Sequence, residues 1–401
     1  MQVAPVSSQP MLSTMAARPR AACAPAAEPA DTVTLSGSAS APARGAEVVA
    51  PTVAAAAGPV VGAGLLAGLK TGFVNGYMAP TEVYRWAQDL TRRYPDLVEL
   101  VERPYQTDGY DGQRAELRGP APLYYLRIGP KDDPGRDEKL GVLNFAAPHA
   151  REWCQPIGMV ELTEQLLANY DPTSSEPAVA ANTALVQNLD LYVIPVTNPD
   201  GTNYSMFDEA MWRKNRSPET GGVGVDVNRN YPHLWKSSSD VASEVYPGPA
   251  PLSEPETRHV ASLVEERPNI RFLCDWHSQG EEVRRPWGVS EADRPVYDAM
   301  HSRMAAAIKS VRGREYATVT SQVVSGASDD YFYHHKGVFS TIVEDAREFQ
   351  PAVPEALQVS REIAAGAREL LHFALDYSHQ RGLEATRPPG LDQMPPPPSE
   401  E

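Results

Sequence analysis

Two histidines and one glutamate in this chain have the residue types and the spacing of a catalytic zinc site. His149 and Glu152 lie three positions apart directly after an apolar segment, and His277 stands at the end of a second apolar segment. Hydrolytic zinc sites use three nitrogen or oxygen ligands and leave a fourth position for water. An isolated HxxE pair is usually a surface pair, and a lone histidine is usually a hydrogen-bonded core residue. Because the two features occur together, we interpret them as one metal site.

Glu344 is the candidate general base of such a site. It lies near the end of the apolar segment 341–345, where a carboxylate is unusual because a buried charge needs a partner. A hydrolytic metal site requires a base or an electrostatic partner beside the attacking water. The alternative is a structural carboxylate bonded to a backbone group or to an arginine.

A further group of motifs places arginines in loops. The motif NPDG at 198–201 has the composition of a turn, and it is followed by Arg213 in WRKNR and by Arg229 in GVDVNRN. A planar guanidinium can bind a carboxylate through two hydrogen bonds or stabilise an oxyanion. Arg229 is therefore suited to bind a substrate's terminal carboxylate while Arg213 polarises the scissile carbonyl. The alternative is that both are simply solvated loop residues.

The elements that must position these residues alternate between strand and helix patterns. The predicted strands are 122–129, 141–148, 189–198, 270–278 and 341–345, and the predicted helices are 80–93, 156–170, 253–265, 291–311 and 354–378. This alternation predicts a single α/β domain with a mixed, mostly parallel central sheet flanked by helices. Sites in such sheets form beyond the carboxyl ends of the strands, which is where the polar motifs lie.

The two ends of the chain differ in composition from the catalytic domain that we predict at 71–380. Residues 1–70 are rich in Ala and Pro and are predicted to be disordered, and 381–401 is a Pro-rich acidic tail. No run of about 18 strongly apolar residues is present, so no integral membrane segment is expected. The first residues also lack the basic start and compact apolar segment of an ordinary secretory signal.

The charge and the cysteines restrict the function further. The net charge of −16 makes nucleic acid or an anionic membrane surface an unfavourable main partner. The chain has three cysteines, Cys23, Cys154 and Cys274, too few for a disulfide framework. We expect free thiols, with a Cys154–Cys274 bridge as the alternative.

Taken together, the motifs HAREW, NPDG, WRKNRS, GVDVNRN, DWHS, SGASDD and VEDARE resemble the zinc metallocarboxypeptidases of the carboxypeptidase A/B type, in the same order. The resemblance covers roughly residues 78–378. It implies one Zn²⁺ per chain and the release of single residues from peptides or proteins that have a free C-terminus. It also favours a secreted protein.

The resemblance gives each site residue a role. The implied zinc ligands are His149, Glu152 and His277. Asp226 resembles the carboxylate that orients the first of these histidines. Glu344 resembles the general acid/base, which takes a proton from the attacking water and returns it to the leaving amine.

The implied substrate contacts come from the arginine motifs. Arg213 resembles the oxyanion-stabilising residue, Asn228 and Arg229 resemble the clamp on the terminal carboxylate, and Arg151 resembles a more distant contact. One position departs from the family pattern, because Gln322 stands where a mobile tyrosine commonly caps the bound C-terminal residue. Tyr331 and Tyr333 are nearby but out of register.

Two residues give opposite indications about side-chain preference. Asp329 aligns with the pocket-floor carboxylate of basic-specific members of the family, which predicts a preference for C-terminal Lys or Arg. Arg284 falls near the same pocket, where it would neutralise Asp329 or favour an acidic residue.

Two other functions compete with the carboxypeptidase prediction. A zinc amidase or acyl-hydrolase of the same fold, acting on peptidoglycan peptides or amino-acid conjugates, would need no carboxylate clamp. An inactive peptide-binding protein would tolerate loss of a metal ligand or of Glu344, yet all four residues are present. A purely structural zinc site is disfavoured because such sites normally use four protein ligands.

Overall fold

Strands rich in apolar residues form the centre of the molecule. The computed structural model describes residues 73–74, 76–109 and 119–381, so the predicted N-terminal segment 1–70 and all but the first residue of the predicted tail 381–401 lie outside the described residues. The strands are β1 (Phe73–Val74), β2 (Tyr77–Met78), β3 (Val98–Gln106), β4 (Pro122–Ile128), β5 (Leu140–Ala146), β6 (Leu189–Ile194), β7 (Ile270–Ser278), β8 (Glu282–Arg285), β9 (Ala317–Thr320) and β10 (Phe339–Asp345). The α-helices are α1 (Pro80–Arg93), α2 (Cys154–Ala168), α3 (Pro177–Asn188), α4 (Pro199–Phe207), α5 (Pro255–Glu266), α6 (Arg294–Arg312), α7 (Ser328–Lys336) and α8 (Val353–Arg381).

Eight strands pair in one sheet in the order β3-β4-β6-β5-β7-β10-β8-β9, and β1 pairs with β2 separately. The central strands β6, β5, β7 and β10 are parallel to one another. At one edge β4 and β3 are antiparallel, and at the other β8 runs antiparallel to β10 while β9 is parallel to β8. The predicted mixed, mostly parallel sheet of a single α/β domain is confirmed.

Both faces of the central strands are buried under helices. Val142 and Phe272 belong to a core that includes residues of α2, α6 and α8, whereas their neighbours Leu143 and Leu273 belong to a second core with residues of α5 and α7. Successive side chains of a strand point to opposite faces, so a strand covered on both sides is apolar throughout. This explains why these segments are continuous apolar runs in the sequence.

The predicted elements are all present, with shifted boundaries. Helix α2 begins at Cys154 rather than at Pro156, because a proline is tolerated anywhere in the first turn, where the backbone N–H groups need no intrahelical partner. The NPDG motif starts a helix rather than being only a turn. The Asn198 Oδ1 atom accepts a hydrogen bond of 2.9 Å from Gly201 N and so caps α4.

Cys154 and Cys274 are buried free thiols, so the alternative of a bridge between them is wrong. Cys23 lies outside the described residues. Within the described part of the chain, no helix combines the length and the apolar character needed to cross a bilayer.

The strand register brings the predicted site residues to one edge of the sheet. Glu344 of β10 is paired with His277 of β7, and Ala146, three residues before His149, is paired with Trp276. Strands β5 and β10 are each followed directly by an alanine with a left-handed backbone, Ala147 at φ 55° and Ala346 at φ 54°. A left-handed backbone is uncommon for residues other than glycine, and it occurs often at functional sites.

Candidate active site

The side chains of His149, Glu152 and His277 converge in a buried position. One ligand atom from each lies within 4.8 Å of the other two. The Nδ1 atoms of the two histidines are 3.1 Å apart, and they lie 2.8 and 3.3 Å from the Glu152 carboxylate oxygens. Burial alone would raise the pKa of Glu152, but the two imidazoles hold it below its usual range. The structure therefore brings together the three residues that the sequence predicted as metal ligands.

Two buried carboxylates bind the opposite nitrogens of these histidines. The His149 Nε2 atom is 3.2 Å from Asp226 Oδ1, and the His277 Nε2 atom is 2.9 Å from Asp275 Oδ2. With Nε2 of each histidine donating to its carboxylate, both Nδ1 atoms are directed at the same point. Two imidazoles and a carboxylate with this orientation fit a zinc ion, whose binding displaces any proton on Nδ1.

The sequence reasoning predicted the orienting role of Asp226 but missed Asp275. The signal was present, because residues two apart on a strand share a face, and Asp275 precedes His277 by two positions on β7. Asp275 is itself held by Ser328, whose Oγ donates a hydrogen bond of 2.6 Å to Asp275 Oδ2.

Arg213 is bound to the same carboxylate that orients His149. Its Nε and Nη2 atoms donate to Asp226 Oδ2 at 3.1 and 3.0 Å. Burial would lower the pKa of Arg213, but Asp226 and Glu152 raise it above its usual value, so the guanidinium stays charged. The structure places this fixed positive charge beside the metal ligands.

Arg213 precedes Asp226 in the chain, and Asn228 and Arg229 follow it. Both residues lie in the short 3₁₀ helix Val227–Arg229. Among the described residues Arg229 makes no ion pair, and its hydrogen bond of 2.7 Å goes to the backbone carbonyl of Asn228. Burial lowers the pKa of Arg229, with Asp226 opposing the shift. A guanidinium that burial destabilises and that has no carboxylate within ion-pair distance among the described residues is suited to bind an anion.

The side chain of Asn228 is fixed at its oxygen. Its Oδ1 accepts a hydrogen bond of 2.8 Å from Ser328 N, and its Nδ2 lies 3.3 Å from His277 Nε2. Because that histidine nitrogen carries the proton shared with Asp275, it cannot accept from Asn228. The amide hydrogens of Asn228 therefore stay available to a substrate beside Arg229.

Glu344 extends from the end of β10 next to the metal ligands. Its side chain is 16% exposed and its Oε1 lies 3.2 Å from Arg284 Nη1. Burial raises the pKa of Glu344, and His277 opposes the shift. The next residue, Asp345, points to the other face, where it accepts from the Gln155 amide at 3.0 Å and is fully buried. Only Glu344 of this acidic pair is placed to act at the site.

The remaining predicted residues contact partners outside the three converging ligands. Arg151 lies over the Phe349 ring at 4.4 Å and 3.6 Å from Glu244. Asp329 is fully buried at the start of α7 and accepts a hydrogen bond of 2.7 Å from Ser321 Oγ. Arg284 contacts Glu282 and Glu344, and no ion pair within 4.0 Å joins it to Asp329 in the described structure.

Neither nearby tyrosine takes the place of the missing cap. Gln322 is exposed. Tyr331 stacks on Tyr231 with ring centroids 5.6 Å apart, and the Tyr333 hydroxyl donates a hydrogen bond of 2.6 Å to Asp293. Both tyrosines are held in the core by α7.

Comparisons with known proteins agree with this geometry. Residues 83–362 match the family model described as zinc carboxypeptidase. Human carboxypeptidase O is 30% identical over 276 residues, which are 66% of this chain and 68% of that protein. Metallocarboxypeptidase A of Trichophyton tonsurans is 34% identical over 213 residues, about half of each chain (49%).

Solved structures show the same fold. The crystal structure of thrombin activatable fibrinolysis inhibitor superposes with a TM-score of 0.64 at 25% identity, covering 77% of both chains. Carboxypeptidase A from Helicoverpa armigera gives a TM-score of 0.60 at 25% identity, covering 78% of this chain and 80% of the other. With its matched domain and its His-Glu-His centre, the chain belongs to the zinc carboxypeptidase family, and this membership supports a metallocarboxypeptidase activity.

Proposed function

We propose that this chain binds one Zn²⁺ through His149, Glu152 and His277 and hydrolyses the C-terminal peptide bond of peptides and proteins. The observation that carries the proposal is the position of Arg229, a half-buried guanidinium without a carboxylate partner among the described residues, adjacent to the fixed amide of Asn228. A substrate's terminal carboxylate would supply the missing negative charge. An endopeptidase would have no use for such a group.

The other residues divide the chemistry between them. Zinc, when bound, acts as a Lewis acid that polarises the carbonyl and makes water a nucleophile at neutral pH. Glu344 accepts the proton of the attacking water and transfers it to the leaving amine. Arg213, held in place by Asp226, offers N–H groups to the oxygen on which negative charge develops.

Incubation with a mixed peptide library tests the reaction. Half of the peptides carry free C-termini and half are amidated, a parallel sample contains a zinc chelator, and products are identified by mass spectrometry. We expect loss of single C-terminal residues from the free peptides only, abolished by the chelator. Cleavage of amidated or internal bonds would contradict the role of Arg229 and favour the amidase. The observation that favours the amidase is the exposed Gln322, which stands in place of a capping tyrosine.

We further propose a preference for C-terminal Lys or Arg, determined by Asp329. Its Oδ1 atom is buried without a hydrogen-bond partner in the described structure, and burial raises the pKa of this carboxyl group. A cationic side chain that reached Asp329 would satisfy that oxygen and stabilise the carboxylate. Arg284 does not neutralise it, because Arg284 is paired with Glu282 and Glu344.

Replacement of Asp329 with alanine tests this preference. A hydrogen bond to a charged group contributes about 1.5–3 kcal/mol, so we expect the ratio of kcat/KM for Lys release to that for Leu release to fall roughly 10- to 100-fold. Asp329→Asn removes the charge but keeps the side-chain size, and it should show the same change if folding is intact. An unchanged Lys to Leu ratio in both variants would contradict the basic preference.

A further inference from the structure

Arg284 is bound by two carboxylates on neighbouring strands. Its Nε and Nη2 atoms lie 2.8 Å from Glu282 Oε2, and its Nη1 atom lies 3.2 Å from Glu344 Oε1. The three side chains are partly buried, with exposed fractions of 34% for Arg284, 31% for Glu282 and 16% for Glu344. One guanidinium therefore connects the general base proposed above to a second acidic residue.

The strand register places Glu282 and Glu344 side by side, so their charges need a positive partner. Strands β8 and β10 are antiparallel, and Glu282 is paired directly with Glu344, while Arg284 is paired with Ile342. Residues directly opposite each other in an antiparallel pair point to the same face, and like charges in such a pair repel. Arg284, two residues along the strand from Glu282, lies on that face and neutralises the repulsion.

The surrounding backbone fixes this group in place. The Thr341 hydroxyl donates a hydrogen bond of 2.7 Å to the carbonyl of Arg284. A Cβ atom added at Gly280 would lie 3.0 Å from Glu344 Cβ and 3.8 Å from Arg284 Nη2. The absence of a side chain at Gly280 thus leaves the space that the two ion-paired side chains occupy.

We propose that Arg284 is a positioning residue for catalysis, which holds the Glu344 carboxylate by Oε1 against the repulsion of Glu282 and leaves Oε2 to exchange the proton with water. This inference rests on the proposed function of Glu344 as the general base. It assigns Arg284 to the reaction rather than to recognition of the substrate side chain. Glu282 then acts as the anchor that sets the position of the guanidinium.

A set of charge-balanced variants tests the proposal on a peptide with a neutral C-terminal residue. Arg284→Met keeps the length of the side chain but leaves Glu282 facing Glu344, and we expect kcat to fall about tenfold with KM within about twofold. Arg284→Lys should recover a large part of kcat. The double variant Arg284→Met with Glu282→Gln also removes the repulsion. Glu282→Gln should therefore raise kcat in the Arg284→Met background.

The neighbouring residue offers a matched control. Arg285 points to the other face of β8, where it binds Asp298 at 2.6 Å, and Arg285→Met should leave kcat unchanged. Bound zinc and unfolding temperature, measured for every variant, should match those of the wild type. Recovery in the double variant would not be expected if Arg284 only stabilised the fold.

Three results would overturn the inference. Unchanged kcat in Arg284→Met would show that Glu344 needs no such partner. A changed ratio of Lys to Glu release with unchanged kcat would place Arg284 in the side-chain pocket instead. A wild-type protein without turnover of free C-termini would overturn the proposed function itself, which distinguishes that failure from a failure of Arg284 alone.

Discussion

Replacing Glu344 with glutamine is expected to reduce kcat by roughly 10²- to 10⁴-fold, the usual contribution of a positioned general acid or base. Glutamine has nearly the same size and can still occupy the space beside Arg284, but it cannot accept a proton. In the proposed function substrate binding depends on Arg229 and Asn228, which do not contact Glu344 within the described hydrogen bonds, so KM should change little. Steady-state kinetics with a free-C-terminus peptide measure both constants.

An exposed glutamate four positions further along the chain serves as the control for the Glu344 substitution. Glu348 lies outside the buried strand end, and Glu348→Gln should keep wild-type kcat. Bound zinc should stay at one ion per chain in Glu344→Gln, because Glu344 is not one of the converging ligands. Wild-type kcat in a zinc-loaded Glu344→Gln protein would show that another group accepts the proton.

The residues on which this expectation depends were recognisable in the sequence because the central strands are apolar on both faces. A histidine or glutamate at the end of such a run stands out, and the ends of parallel strands lie at one edge of a sheet. His277 and Glu344, far apart in the chain, were for this reason predicted to meet, and their strands pair in register. The arginines lie in the loop motifs and not at the end of an apolar run, so their roles were assigned from the order of the motifs.

The edges of the sheet could not be predicted in the same way. Strand β8 reads EVRR and β9 reads ATVT, and most of their residues are exposed or half-exposed. Short polar edge strands are stabilised by pairing with a neighbour rather than by a pattern of their own. The contact of Arg284 with Glu344 depends on the β8–β10 register, so sequence alone could place Arg284 only near a pocket.

Removing one metal ligand is expected to cause a large loss of zinc affinity and of activity. His277→Ala leaves two ligands, and the buried Glu152 then has one imidazole partner instead of two. We expect zinc affinity to fall by several orders of magnitude and hydrolysis to be lost. Competition with a chromophoric chelator measures the affinity, and His335→Ala, which changes an exposed histidine of α7, should retain wild-type affinity.

Asp275→Asn should give a zinc affinity between those of the wild type and His277→Ala, because it keeps the ligand and changes only the group that orients it. Partners of this kind typically contribute 10- to 100-fold to metal affinity. Asparagine could still accept the His277 Nε2 hydrogen, but without the negative charge that raises the basicity of the ligand nitrogen. Zinc affinity as strong as that of the wild type in Asp275→Asn would show that the 2.9 Å contact does not tune the site.

Thermal unfolding separates loss of zinc from loss of the fold in these variants. A ligand that binds only the native state stabilises it by RT ln(1 + [L]/Kd), about 2.7 kcal/mol at a free concentration of 100 Kd. The unfolding temperature of the wild type should therefore rise with added zinc, that of Asp275→Asn should rise only at higher zinc, and that of His277→Ala should not change with added zinc. A zinc-dependent rise in His277→Ala equal to that of the wild type would mean that the stabilising ion binds elsewhere, and that the convergence of His149, Glu152 and His277 does not form the principal metal site.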